Sequence, residues 1–201
     1  MIPTKDEARA ILEPYHALIA SVIEESWAEW KALRACQVEK GFGPPLYSRT
    51  IANNIFDGIA RRAILKFGVD PKVRVEIEAQ TFKLHFKGLT ARFKKGGDDK
   101  LGRNIPTLAA MLFEEADGMF PGMPPENGKV EFIWLPNELW TDLDRILVIA
   151  RDGDRLIWEY DIERAAPAAE ITPLVTPRAP EGPTPVLVTP KPQSKPDAEE
   201  R

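Results

Sequence analysis

Cysteine is nearly absent: Cys36 stands alone in 201 residues. That count excludes an internal disulfide and any cysteine-built zinc site, and it fits a reducing compartment. Histidine is scarce as well, with only His16 and His85. Neither lies in a sequence arrangement with Asp, Ser or Cys that points to a triad, so both read as structural, and Cys36 reads as a small core or semi-buried helix residue. No apolar run approaches the roughly 18 residues needed to cross a bilayer. The opening residues Met1–Glu7 lack the basic start and apolar core of a signal peptide, so the expected location is cytoplasmic. Positive charge is not in excess: 27 Lys and Arg face 31 Asp and Glu, for a net charge of −4. A protein that coats nucleic acid through overall charge is thereby excluded, and only a local basic patch remains for such contact.

Aromatic residues are missing from residues 165–201, where nine of the 19 prolines are concentrated. Such a composition buries too little apolar surface to offset chain entropy, so this segment is expected to be a disordered tail. It contains a near-repeat, Ile171-Thr-Pro-Leu-Val-Thr-Pro177 and Thr184-Pro-Val-Leu-Val-Thr-Pro190. Two readings stand: an extended polyproline-like tail with two aliphatic clusters, or two docking peptides for one bivalent partner.

The remainder, residues 1–164, reads as a single α+β domain. Residues 1–47 are its helical part. Thr4 and Glu7 have capping-box spacing, and Pro14 ends or kinks the first helix or sits in the first turn of the next. Leu18, Val22, Trp27, Trp30, Leu33 and Val38 follow helical spacing until Gly41-Phe-Gly-Pro-Pro45 stops the pattern. A third helix is predicted over 48–67, with Ile51, Ile55, Phe56, Ile59 and Ala63 as its apolar stripe. Residues 48–164 then continue as sheet. Val73 to Ala79 alternate with period two, Phe82, Leu84 and Phe86 continue with the phase shifted by one, and Leu89, Ala91 and Phe93 form a third strand. Three such strands in succession make an antiparallel meander. One inserted helix is predicted over 105–118, capped by Asn104 with Pro106 in its first turn. A strand over 130–135 and a hairpin around Arg151-Asp-Gly-Asp154 complete an antiparallel sheet. The five tryptophans read mainly as core residues, with an exposed aromatic contact patch as the alternative.

The chemistry concentrates at the end of the third strand. Residues 81–105 hold Lys83, Lys87, Arg92, Lys94, Lys95, Lys100 and Arg103 against only Asp98 and Asp99. Alternation puts Arg92 and Lys94 on one face, opposite Phe93, and a helix start at Asn104 adds free N–H groups. One reading is a site for an anion or an acidic partner; the other is a sheet edge protected by lysines. The glycines do not make a nucleotide loop, since Gly96-Gly97 and Gly102-Arg103-Asn104 lack the Gly-Lys-Ser/Thr ending of a Walker motif. No cofactor or metal set is evident. The order helix, three strands, helix, strand resembles the core of PD-(D/E)xK nucleases, but that chemistry needs Glu-x-Lys on the third strand, and here the residues are Arg92-Phe93-Lys94.

Three short segments taken together, Arg49-Thr-Ile-Ala-Asn53-Asn-Ile-Phe-Asp57, Arg92-Phe-Lys94-Lys95 and Asn104-Ile-Pro106-Thr107, resemble a group of small bacterial proteins. Members of that group are encoded beside a helix-turn-helix protein with an ImmA/IrrE-like metallopeptidase domain, and some pairs are described as toxin–antitoxin or phage-defence modules of the kind called Rosmer. The resemblance spans roughly residues 48–160. It implies a toxin-like component held inactive by a cognate protein partner, and it supplies no catalytic residues. Arg49, Asn53 and Asp57 share one helix face at i, i+4 and i+8. With Arg92, Lys94, Lys95, Arg103 and Asn104 they form the expected anion- or partner-binding set. The alternatives are a nucleic-acid-binding protein and a degenerate nuclease using the basic strand–helix junction.

Overall fold

The structure, a computed structural model, describes residues 2–102, Phe113 and residues 127–163. All belong to the first of two units, Met1–Ala165 and Ala166–Arg201. The expected helix over 105–118, apart from Phe113, lies outside the described residues, as does the expected tail.

Helix α1 spans Lys5–Leu12. Thr4 caps it reciprocally: its hydroxyl accepts from the Glu7 N–H at 3.3 Å, and the Glu7 carboxylate accepts from the Thr4 N–H at 3.0 Å. Pro14 sits in a 3-10 turn over Glu13–Tyr15, which hands the chain to α2, His16–Glu39. Helix α3 spans Ser48–Phe67. Glu29 pairs with Arg61 and Arg62 while Glu25 pairs with Arg62 and Lys66, so α2 and α3 run antiparallel.

Six strands form one sheet in sequence order: β1 Arg74–Ile77, β2 Phe82–Phe86, β3 Leu89–Lys95, β4 Gly128–Pro136, β5 Leu143–Asp152 and β6 Arg155–Asp161. The fold is α+β. The meander and the hairpin around Arg151–Asp154 are antiparallel as expected. One pairing differs: β3 and β4 run parallel, with Arg92 opposite Glu131, Phe93 opposite Phe132 and Lys95 opposite Trp134. The reason is the long connection over 96–127, a crossover that brings the chain back to the end from which β3 began.

The sheet has two unlike faces. Phe82, Leu84, Phe86, Ala91, Phe93, Phe132, Trp134 and Val148 face the helices and form the core with Ile19, Ile23, Trp27, Ile55, Ile59 and Phe67. Phe93 lies at the centre of an aromatic row, 5.6 Å from Phe82 and 5.1 Å from Phe132 between ring centroids. The opposite face is mixed: Leu101, Ile133, Leu147 and Ile149 form a small apolar cluster beside buried Lys83, His85, Thr90, Arg92, Glu131 and Arg151.

Two sequence expectations on α2 are corrected. Leu33 and Val38 continue the helical stripe but are 42% and 58% exposed, and Cys36 is exposed instead of semi-buried. Periodicity identifies a helix face, but burial also needs a neighbour, and past Trp30 most of α2 is exposed.

Candidate functional site

Strand β3 divides the basic segment between two environments. Arg92 does not serve an anion site. It is 6% exposed and donates from Nε and Nη2 to Glu131 Oε1, at 2.8 and 2.6 Å. The Phe113 ring lies 4.1 Å from its guanidinium, and Arg151 stands 3.8 Å from the other Glu131 oxygen. Other cations of the segment are also engaged: Lys83 pairs with Glu78, and Lys100 with Glu159 at 2.6 Å. Among the described residues of the junction, two backbone N–H groups are already used. The Gly96 N–H donates to the Trp134 carbonyl at 3.1 Å, and that of Gly97 to the Leu101 carbonyl at 3.0 Å. Glycine is needed at 96 for packing, because a Cβ there would lie 2.5 Å from both Ile133 Cγ2 and Leu135 Cδ2.

What remains of the expected set gathers on the helix side of the sheet. A cleft of about 580 Å³ is lined by Ser48, Arg49, Ala52, Asn53 and Phe56 of α3 and by Gln80, Thr81, Phe93, Lys94, Lys95, Trp134 and Trp140 of the sheet and its turns. Three predicted residues, Arg49, Asn53 and Lys95, therefore meet at one place; Lys94 borders the cleft, but its side-chain stem lies beside Gly102 on the face of β3 that carries Arg92. Asp57 lies one turn further along α3 in an adjoining cavity that shares Asn53, Phe56, Gln80 and Thr81 with the first. Arg103 and Asn104 lie outside the described residues. Arg92 is on the other face of β3.

Two cations of this cleft rest on rings. The Lys95 amine is 4.9 Å from the Trp140 ring centre, and the Arg49 guanidinium is 5.1 Å from that of Tyr47. Neither makes an ion pair among the described residues, where ring faces offset their charge. The first turn of α3 adds to the positive potential, since it has no acidic residue and Tyr47 provides no side-chain cap. Trp134, wholly buried in the cleft floor, has an indole N–H that meets no acceptor among the described residues.

Sequence reasoning missed Trp140. It has a left-handed backbone, φ 57°, a conformation that costs a bulky residue about 1–3 kcal/mol. Asn137 holds it there. The Asn137 carbonyl accepts from the Trp140 N–H at 3.0 Å, and its side-chain Oδ1 accepts from the N–H groups of Thr141 and Asp142 at 2.9 and 3.3 Å. The Asn137-x-x-Trp140-Thr141 turn between two strands was the available signal, but a turn motif does not reveal which side chain it aims at a cleft.

A second polar assembly lies on the opposite face, and it also was not legible in the sequence. His85 Nε2 is 2.8 Å from a Glu76 carboxylate oxygen, and its Nδ1 is 3.0 Å from Thr90 Oγ1. Burial pushes the ring below its ordinary pKa, which favours the neutral form. A neutral ring that donates from Nε2 to the carboxylate accepts at Nδ1, so the Thr90 hydroxyl donates to His85 and receives the Asn127 amide at 3.2 Å. The connectivity is that of an acid–base–hydroxyl chain. Thr90 is fully buried, however, and the chain ties β1, β2 and β3 together without opening to the cleft.

The described residues do not bring together the acidic donor set that PD-(D/E)xK chemistry needs. Arg92 holds the position of the acid, its partner Glu131 is engaged by two arginines, and no three His, Cys, Asp or Glu side chains converge among the described residues. Compared with known proteins, the chain matches no family model, no curated protein and no solved structure.

Two outcomes follow from these assignments. Arg92→Ala strands Glu131 without its main partner in a dry layer and lowers stability by about 3–5 kcal/mol in urea unfolding, whereas Lys95→Ala, which loses one ring contact, costs about 1 kcal/mol or less. Equal losses for the two would refute the division. The second outcome concerns pH. A ring whose folded pKa is below its ordinary 6.5 takes up a proton less readily folded than unfolded, so its stabilisation is complete above about 6.5 and is lost as pH falls through the folded value. His16 is shifted the same way by burial. Urea unfolding between pH 7.5 and 5.5 is expected to show a shallower loss of stability in His85→Gln than in the wild type, and parallel curves would contradict the assignment.

Proposed function

We propose that the chain is the toxin-like effector member of a bacterial two-gene defence module, of the toxin–antitoxin kind. On this reading it acts through protein–protein interaction and is neutralised by a cognate partner, a helix-turn-helix protein with a metallopeptidase domain. The observation that carries the reading is the convergence of the motif segments. Arg49 and Asn53 come from one of the segments that bear the resemblance, Phe93 and Lys95 from another, and they line one cleft although α3 and β3 are separated by two strands. Side chains shared with a family are expected to meet where the family's common activity resides.

The surroundings favour occlusion by a protein. Leu46 and Tyr47, which precede α3, are 87% and 60% exposed, and Leu139, beside Trp140, is 81% exposed. Large apolar side chains flanking a cationic cleft are the anchors that a protein partner buries. The cleft also supports a second reading, nucleic-acid binding, because cations that rest on aromatic rings suit phosphate and base together. That reading moves from the basic junction, where Arg92 is occupied, to Arg49 and Lys95.

Expression alone and beside the neighbouring gene's product tests the proposal. The expected result is a growth defect from the lone chain, relief by the partner, and a complex on affinity capture that Arg49→Glu with Lys95→Glu weakens by at least about tenfold. The absence of both a growth defect and a complex would refute it.

A further inference from the structure

We infer that the cleft binds a nucleoside 5′-phosphate, with the base over the Trp140 indole and the phosphate between Lys95, Arg49 and the first turn of α3. The inference rests on the reading that this cleft is the working site, and it names the ligand class.

Four features converge on that chemistry. The cavity, about 580 Å³, is in the size range of small-ligand sites. Its walls bring together Lys95, at the end of β3, and Arg49, in the first turn of a 20-residue helix without a side-chain cap, where backbone N–H groups favour phosphate. Its walls carry Asn53 and Gln80, whose amides can pair with a base edge, beside the hydroxyls of Ser48 and Thr81. Its aromatic platform, Trp140, is held in a left-handed backbone by Asn137, and strained residues that the surrounding structure over-determines cluster at ligand clamps.

The resting contacts explain how such a ligand enters at little cost. Lys95 lies on the Trp140 ring. A base that stacks on the indole displaces the ammonium, and the same ligand's phosphate then receives it. One cation–ring contact is replaced by a stack and an ion pair, both within one molecule. Arg49 leaves the Tyr47 ring for the phosphate in the same manner. An acidic peptide would satisfy the cations but leave the displaced indole face without a planar partner. Inorganic phosphate would do the same. Asn137 is a positioning residue in this scheme, acting through Trp140.

The test is titration of the purified full chain, followed by tryptophan emission at low salt, with adenosine, guanosine, cytidine and uridine 5′-monophosphates. Inorganic phosphate, adenosine, a 5′-phosphorylated trinucleotide and a penta-glutamate peptide are the comparison probes. At least one monophosphate is expected to saturate below about 1 mM, with phosphate and adenosine at least about tenfold weaker. Lys95→Glu and Trp140→Asn are each expected to weaken that binding by about tenfold or more. Asparagine is chosen because it tolerates the left-handed backbone, so the variant keeps its fold. Tighter binding of the trinucleotide would identify a strand end as the source of the phosphate, and equal binding a free nucleotide; both support the proposal. No saturation by any monophosphate, equal affinity for inorganic phosphate, or tighter binding of the penta-glutamate peptide would overturn it. The two readings fail separately. Nucleotide binding by a chain with no growth effect and no complex would refute the defence module alone, and a neutralised effector that ignores nucleotides would refute this inference alone.

Discussion

The pairing of Arg92 with Glu131 across the parallel β3–β4 junction is the constraint from which the rest of the structure follows. The two residues are directly opposite in register, and both are almost wholly buried. Taking two charges out of water is expensive, and only close geometry repays it. A slip of one residue along β3 would put Phe93 against Glu131 and turn Arg92 toward the aromatic core. The pair therefore locks the register of the one parallel ladder in the sheet. With it are fixed Phe93 over Phe132, and Lys95 beside Trp134 at the edge of the cleft.

That lock assigns different work to neighbouring cations. Arg92 is structural, held by Glu131 and the Phe113 ring, while Lys95 rests on Trp140 at the cleft. The alternation of a strand sends residues 92 and 95 to opposite faces, one into a polar layer and the other toward the helices. The function proposed for the cleft thus depends on β3 being a well-registered strand. The glycines that follow serve the same end, since Gly96 lets the strand end lie flat on Ile133 and Leu135.

Much of the fold was legible in the residues. Period-two alternation gave the meander, Arg151-Asp-Gly-Asp154 gave the hairpin, and Thr4 with Glu7 gave the first helix start, because each of these signals is local. The parallel pairing was not legible, since its register depends on a crossover of some thirty residues and not on β3 or β4 alone. For the same reason Arg92 read as an exposed cation: its partner Glu131 is distant in sequence. The i, i+4 spacing of Arg49 and Asn53 correctly put both on one helix face, but it gave no hint of Trp140, which arrives from another turn. Exposure of Leu33 and Val38 was hidden because periodicity reports direction and not the extent of the sheet beneath.

A double-mutant cycle on Arg92 and Glu131, read by urea unfolding, tests this account most directly. Methionine at each position alone leaves an unmatched charge in the buried layer, and methionine at both removes the two charges together. The account predicts a double variant markedly more stable than the sum of the single losses, with a coupling above about 1.5 kcal/mol. Additive losses, with no coupling between the two positions, would contradict it.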